Sequence, residues 1–345
     1  MSTSKWMDSF ALTLVAVAIG AIAFKNYERD NGAQILNVSY DATREVYKEI
    51  DSKFVAKYEA ETGRRVSIEH SHGGSTRQAR AVAEGLAADV VTLALPSDVE
   101  TLSKHRLIAA DWRNRLPHNS QPYCSTIVFV VRKPNSKHIQ DWQDLIGPDV
   151  TIITPDPRTS GNGKLSLFAA WGSVIFRGGS EDQARAFVSK LYQHVPILGQ
   201  GARDSSTTFA LAKEGDVHLT WENEALREVA ESKGDLEIVY PAVSILAEPS
   251  VAWVDANVAK HRSGSAATAY LKYLFTEEAQ EVFAKNGYRP FNESILQKHR
   301  NGLPDIALFR SRQSPKIGLT PKKNSLAKVG YTQPFNLSPQ NKVIA

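Results

Sequence analysis

Between Val66 and Leu95 a strand, a glycine turn, a helix and a second strand follow one another almost without a break, and few folds accept that order. Val66 to His70 is an extended run. Ser71-His72-Gly73-Gly74-Ser75 turns the chain. Ala79, Val82, Ala83 and Leu86 then form one face of a helix. Asp89 to Leu95 is an apolar run with no alternation, as in a parallel strand buried on both faces. Ile35 to Ser39 reads as an earlier strand. The helix after it runs to about Glu61, with Val46, Ile50, Phe54 and Tyr58 on one face, and Gly63 stops it. Alternating strands and helices give an α/β fold.

A glycine turn between strand and helix aims backbone N–H groups at one spot, with the positive end of the helix dipole behind them. A second such turn, Thr159-Ser160-Gly161-Asn162-Gly163, follows the strand Val150 to Thr154. A third loop, Gly199-Gln200-Gly201-Ala202-Arg203, precedes a helix expected from Ser205 to Lys213. One such turn is usually just a tight connection. Two of them suggest a chain of two lobes whose turns face one another across a cleft. Ser75-Thr76-Arg77-Gln78 fits a capping box, which gives the Ser75 side chain to its own helix and leaves its N–H for a ligand. Asp41 stands where its carboxylate can cap the first helix.

Leu116 to Tyr123, with two prolines, and Pro241 to Pro249 are irregular and read as crossovers. Two crossovers return the late segment to the first lobe, whereas two consecutive domains need only one. The expected division is residues 35–115 plus 250–309 in lobe one and 123–245 in lobe two. Residues 116–122 and 246–249 are the hinge crossovers. From Arg310 onward there are seven basic residues and no acid, so this tail of 310–345 reads as disordered and the rest of the chain carries −3. A slightly acidic body gives no sign of nucleic-acid binding.

The single cysteine, Cys124, excludes an internal disulfide and a cysteine metal cluster, and its neighbours mark it as buried. Lys5, the uncharged run Ser9 to Phe24 and Ala21-Ile22-Ala23 read as an export signal over residues 1–24, with an uncleaved inner-membrane anchor as the alternative. His70 and His72 lack a clear third partner for a metal. Glu222 and Glu224 open a helix after Trp221, where acids complement the dipole. No G-x-S-x-G, H-E-x-x-H or G-K-[ST] motif is present, so neither an enzyme nor a cofactor or metal is expected.

Leu36-Asn37-Val38-Ser39-Tyr40-Asp41, Ser71-His72-Gly73-Gly74-Ser75, Ala88 to Ala94, Thr159-Ser160-Gly161, Gly201-Ala202-Arg203, Trp221-Glu222-Asn223-Glu224 and Ser244 to Pro249 together resemble the periplasmic sulfate/thiosulfate-binding proteins of ABC importers. The resemblance spans about Ile35 to Phe309. It implies a two-lobed periplasmic binding protein fold (type II-like) with the ligand cleft between lobes. It also implies a monomer in the periplasm that delivers sulfate or thiosulfate to permease subunits. The ligand contacts it implies are backbone N–H groups of Asp41, Ser75, Gly161, Asn162 and Ala202, the Ser160 hydroxyl and the Trp221 indole N–H. Sulfate needs donors only, whereas a selective phosphate site needs an acceptor. Asn162 stands where the family usually has glycine, and Asn tolerates left-handed angles. The basic tail also departs from the family, and its abrupt start suggests a change of reading frame. The alternatives are an anchored oxyanion sensor or adhesion module on the same fold, or a binder of another tetrahedral oxyanion.

Overall fold

The computed structural model describes Gly20, residues 32–312 and residues 327–330. The chain divides into two compact units, which exchange it after Cys124 and after Ala247. The first holds the described residues up to Cys124, with Thr159–Gly161 and Glu248–Leu303. The second holds Ser125–Arg158, Asn162–Ala247 and the described residues from Pro304.

The first unit opens with β1 (Ala33–Tyr40), a 3-10 turn (Asp41–Thr43) and α1 (Arg44–Thr62). Then come β2 (Val66–Gly73), α2 (Ser75–Ala83), β3 (Val90–Leu93), α3 (Pro96–Lys104) and β4 (Tyr123–Cys124). The second unit takes β5 (Ile127–Arg132), β6 (Ile152–Pro155), α4 (Gly161–Phe176, its first residue grouped with the first unit) and α5 (Glu181–Gln193). It goes on through β7 (Leu198–Gly199), α6 (Ala202–Ser206), a π-turn (Thr207–Leu211), β8 (Val217–Trp221), α7 (Glu222–Glu231), β9 (Leu236–Val239) and β10 (Val243–Ile245). The chain re-enters the first unit for β11 (Ser250–Trp253), α8 (Asp255–His261), α9 (Gly264–Tyr273), α10 (Glu277–Lys285), β12 (Arg289–Pro290) and α11 (Glu293–Lys298). It ends in the second with β13 (Ala307–Arg312) and β14 (Ala327–Gly330).

The first unit is built on a sheet of order β11-β3-β1-β2. β1 runs parallel to β2 in unbroken register from Ala33↔Val66 to Tyr40↔Gly73, and parallel to β3. β3 is buried along its whole length, as a run without alternation requires. One face of the sheet packs on Val46, Tyr47, Ile50 and Phe54 of α1 and on Tyr270 and Phe283 from α9 and α10. The other packs on Ala79 and Val82 of α2 with Val99 and Leu102 of α3. Each of the larger side chains contributes about 1.5–3 kcal/mol by burial. Gly63, at φ 67°, ends α1 as expected, because a left-handed residue there frees the helix carbonyls to accept closing bonds. Residues 116–122, expected as the first crossover, lie inside the first unit, held by the bond from Gln280 Nε2 to the Pro122 carbonyl (2.7 Å).

The second unit has a mixed sheet of order β7-β6-β8-β5-β9, with β5 antiparallel to β8 and β9. Trp142 is buried edge-on against Phe129, and its indole donates to the Val243 carbonyl at 2.7 Å. β13 corrects the expected domain limits. Residues 307–309 pair with β10 in the second unit, not in the first, and Leu246 N donates to the Phe309 carbonyl at 2.7 Å. Phe309 lies over Gly172 of α4, where an added Cβ would fall 2.1 Å from its ring. Residues 310–312 belong to β13 and 327–330 form β14, so the tail is not wholly without structure, while 313–326 and 331–345 lie outside the described residues. Segment 1–24, Gly20 apart, also lies outside them. Among the described residues no helix is long and apolar enough to cross a membrane.

Candidate functional site

Every residue expected to touch the anion lies where a helix begins. Asp41 opens the 3-10 turn after β1, and Ser75 is the first residue of α2 after β2. Ser160 precedes α4, of which Gly161 and Asn162 are the first two residues. Ala202 opens α6 after β7, and Trp221 ends β8 as the residue before α7. The first N–H groups of a helix have no partner inside it. No side chain caps the turn at Asp41 or the helices that start at Ser75, Ala202 and Glu222, whereas α5, α10 and α11 are capped by Ser180, Thr276 and Asn292. Uncapped starts occur elsewhere too, at α3, α8 and α9, so the missing cap does not by itself single out these positions. The side chains are withdrawn from solvent: Ser75, Ala202 and Trp221 are 0% exposed, Ser160 and Asn162 1%, and Asp41 7%.

In the first unit, β2 continues to Gly73, three residues beyond its expected end, and carries the turn to the edge of the sheet. The expected capping box does not form. The Ser75 hydroxyl donates to Asp98 Oδ2 (2.6 Å) and accepts from Ala94 N–H (2.9 Å), while the Gln78 amide donates to the Ser71 carbonyl (2.5 Å) and the Ser39 carbonyl (3.3 Å). Gly74, not Ser75, is the N-cap, so the Ser75 hydroxyl is not placed to accept from its own helix and bonds Asp98 and Ala94 instead. The consequence for the backbone is unchanged: the Ser75 side chain is occupied. Asp41 likewise does not cap α1, which is entered through Thr43 without a side-chain bond. Gly161 lies so close that a Cβ there would stand 2.3 Å from the Ala94 Cβ and 3.1 Å from the Ser75 Cβ. Arg77 N–H donates to the Thr159 carbonyl at 3.3 Å.

In the second unit, Asn162 is helical, not left-handed. Its amide donates to the Leu219 carbonyl (3.4 Å) and accepts from the Ser166 hydroxyl (3.3 Å). α6 begins at Ala202, three residues before its expected start. Glu222 and Glu224 do stand in the first turn of α7, but Glu224 is also a buried ion. Arg227 Nη2 lies 2.8 Å and Arg203 Nη2 3.5 Å from its oxygens. Burial pushes its carboxyl above the usual range, and the two guanidinium charges only partly offset this. One turn on, Glu228 is buried between Ser206 Oγ (2.5 Å) and His218 Nδ1 (3.1 Å). Burial alone would raise the Glu228 carboxyl too. The His218 charge and the bonds from His218 and Ser206 outweigh it and hold the group below its usual value. Asp98, Glu228, Arg203 and Arg227 were not singled out from sequence. The Glu224/Arg227/Glu228 spacing was the available signal, but it is also that of ordinary surface pairs.

His70 Nε2 meets Asp51 Oδ2 at 2.5 Å, and the His70 and His72 rings stack at 4.9 Å. Burial, then His70 and Arg44, lower His72 to about 4. Among the described residues no three His, Cys, Asp or Glu side chains form a metal-holding group, and Cys124 is a buried free thiol.

Residues 25–289 match the family described as bacterial extracellular solute-binding protein. The chain belongs to it. This solute-binding protein is 46% identical over 309 residues to the sulfate-binding protein of Escherichia coli K12, covering 89% of this chain and 91% of that one. It is 44% identical over 308 residues to the thiosulfate-binding protein of Pseudomonas aeruginosa, covering 88% and 91%. Among solved structures it resembles the sulfate-binding protein SubI of Mycobacterium tuberculosis H37Rv, at 29% identity and a TM-score of 0.74 over 81% of this chain and 94% of that one. A periplasmic thiamin-binding protein shares the fold at 18% identity and a TM-score of 0.59 over 75% and 83%. The solute-binding protein therefore has the two-lobed α/β fold of periplasmic binding proteins.

Proposed function

We propose that this protein binds sulfate or thiosulfate outside the cytoplasmic membrane and delivers it to the permease of an ABC importer, without catalysing a reaction. The observation that carries the reading is the set of helix starts: the assigned N–H groups of Asp41, Ser75 and Ala202 stand in first turns that no side chain caps. The 46% identity to a sulfate-binding protein supports it. The donors assigned are the N–H groups of Asp41, Ser75, Gly161, Asn162 and Ala202, the Ser160 hydroxyl and the Trp221 indole. A dianion without a proton asks only for donors, and helix starts supply them without a counter-charge. Bonds of this kind are strong where little water competes. Monohydrogen phosphate would bring a proton to a site with Asp41 as its one assigned acid. Export is assigned to the N-terminal segment, residues 1–24.

Titration calorimetry tests this. Sulfate or thiosulfate should give saturable heat that moderate salt does not abolish, because buried bonds escape screening. Phosphate at the same concentration should give none. No heat with sulfate, thiosulfate or selenate overturns the proposal. Heat with phosphate alone reassigns the ligand.

A further inference from the structure

Glu228 is buried to 2% and touches three elements at once. It stands on the second turn of α7. One oxygen accepts the Ser206 hydroxyl of α6 at 2.5 Å, and the other faces His218 Nδ1 of β8 at 3.1 Å. His218 is 0% exposed and Ser206 4%. The apolar cluster of Val128, Val130, Ile153, Phe209 and Ala225 belongs to this unit, and Arg132, Lys133 and Glu231 line a cavity that Glu228 also borders. Other charged groups reach it from its own helix, where Glu224 and Arg227 are neighbours, and from α6, where Arg203 pairs with Glu224.

A charge in such a place is a poor stabiliser. Taking a carboxylate out of water costs about as much as its buried contacts return, and a well-packed apolar residue would serve the core as well. What the arrangement does supply is direction. Both carboxylate oxygens are used, each on a different element, and a buried hydrogen-bonded network of this kind holds its members in one arrangement. The points they fix are close to the assigned donors along the chain. Ser206 is four residues after Ala202, one helical turn. His218 is three residues before Trp221 on the same strand.

We propose that Glu228 is a positioning residue for anion binding: its carboxylate clamps α6 to β8 through Ser206 and His218, and so sets the Ala202 N–H relative to the Trp221 indole. The inference rests on the assignment of those two groups as donors in the proposed function. The clamp lies wholly inside the second unit, so it acts on the donors of that unit alone. Loosening it should cost a small, rigid dianion most, because a tetrahedral ligand of fixed size cannot follow donors that drift apart.

The test is a double-mutant cycle read by calorimetry with sulfate on the full chain, with melting temperatures recorded without ligand. Glu228→Gln keeps the shape and an acceptor for Ser206 but removes the charge beside His218. It should weaken sulfate binding about tenfold. In a Trp221→Phe background the same change should cost less than about threefold, because one of the two groups it aligns is gone. In a Ser160→Ala background the full tenfold should persist. A sulfate affinity in Glu228→Gln within twofold of wild type overturns the proposal, as does a tenfold loss that survives undiminished in the Trp221→Phe background. Should Glu228→Gln not fold, Ser206→Ala removes one arm only and is expected to show the same pattern at about threefold, with additivity to Trp221→Phe overturning the clamp. If wild-type protein gives no heat with sulfate, the proposed function has failed. If wild type binds and the cycle is additive, only the clamp has.

Discussion

The two units secure their assigned donors by different chemistry. In the first, Ser75 is held through its hydroxyl, by one carboxylate and one backbone N–H, and the turn before it by the Gln78 amide. In the second, the elements bearing Ala202 and Trp221 are tied through two buried carboxylates: Glu224 with the part-exposed Arg203 and Arg227, and Glu228 with His218. Hydroxyl and amide networks tolerate the loss of a member at the cost of one bond. A buried ion that loses its partner is left as an uncompensated charge. The first unit should therefore degrade gradually under mutation and the second abruptly.

The largest effect should come from Arg227→Met. It leaves the buried Glu224 carboxylate with Arg203 as its remaining guanidinium, at 3.5 Å. Breaking a buried pair from one side costs about 3–5 kcal/mol, so calorimetric melting should show a fall of ten degrees or so in this chain. A loss under 1 kcal/mol would erase the contrast. Trp221→Phe comes next, expected to weaken sulfate binding by about 1–3 kcal/mol through one missing donor. Wild-type affinity in that variant would remove Trp221 from the site. Ser75→Ala sharpens the other side. It strips Asp98 and the Ala94 N–H of one bond each, and denaturant unfolding should register about 1–2 kcal/mol. A loss as large as that of Arg227→Met would mean that the units do not differ.

The smallest effect is in pH. His72 is lowered to about 4, first by burial and then by His70 and Arg44, so between pH 6.5 and 4 the unfolded chain binds a proton that the folded one refuses. Its contribution to stability is whole above pH 6.5 and erodes as pH falls towards 4. His72→Gln should flatten the melting-temperature profile in that window by a few degrees, and an unchanged profile would discount the group. In the second unit the carboxyls act lower and against one another. Glu228, held below its usual value, loses its contribution as pH falls through that value. Glu224, held above its own, is relieved by protonation.

Much of this was legible in the sequence where the signal is local. The unbroken apolar run at β3, the glycine stop at Gly63 and the strand-to-helix turns at Ser75 and Gly161 each follow from a few adjacent residues. What was not legible depends on residues far apart. The Ser75 hydroxyl fits a box with Gln78 on paper, but its partner is Asp98, 23 positions away and brought there by β3. β13 belongs to the second unit because Leu308 pairs with Ser244, and no pattern within 307–312 says so. Arg227 and Glu231 have the spacing of a solvated helix pair, and Glu224 differs from Glu231 only in facing inward.

The return of β13 has a consequence for how the chain comes into being. β11 joins the edge of the first sheet only after residue 250, and Phe309 covers Gly172 only after nearly all the described chain has been made. Domains ordinarily fold as they are synthesised, N-terminal part first. Here neither unit has all its strands until late, so neither sheet can be completed before most of the described chain has been made.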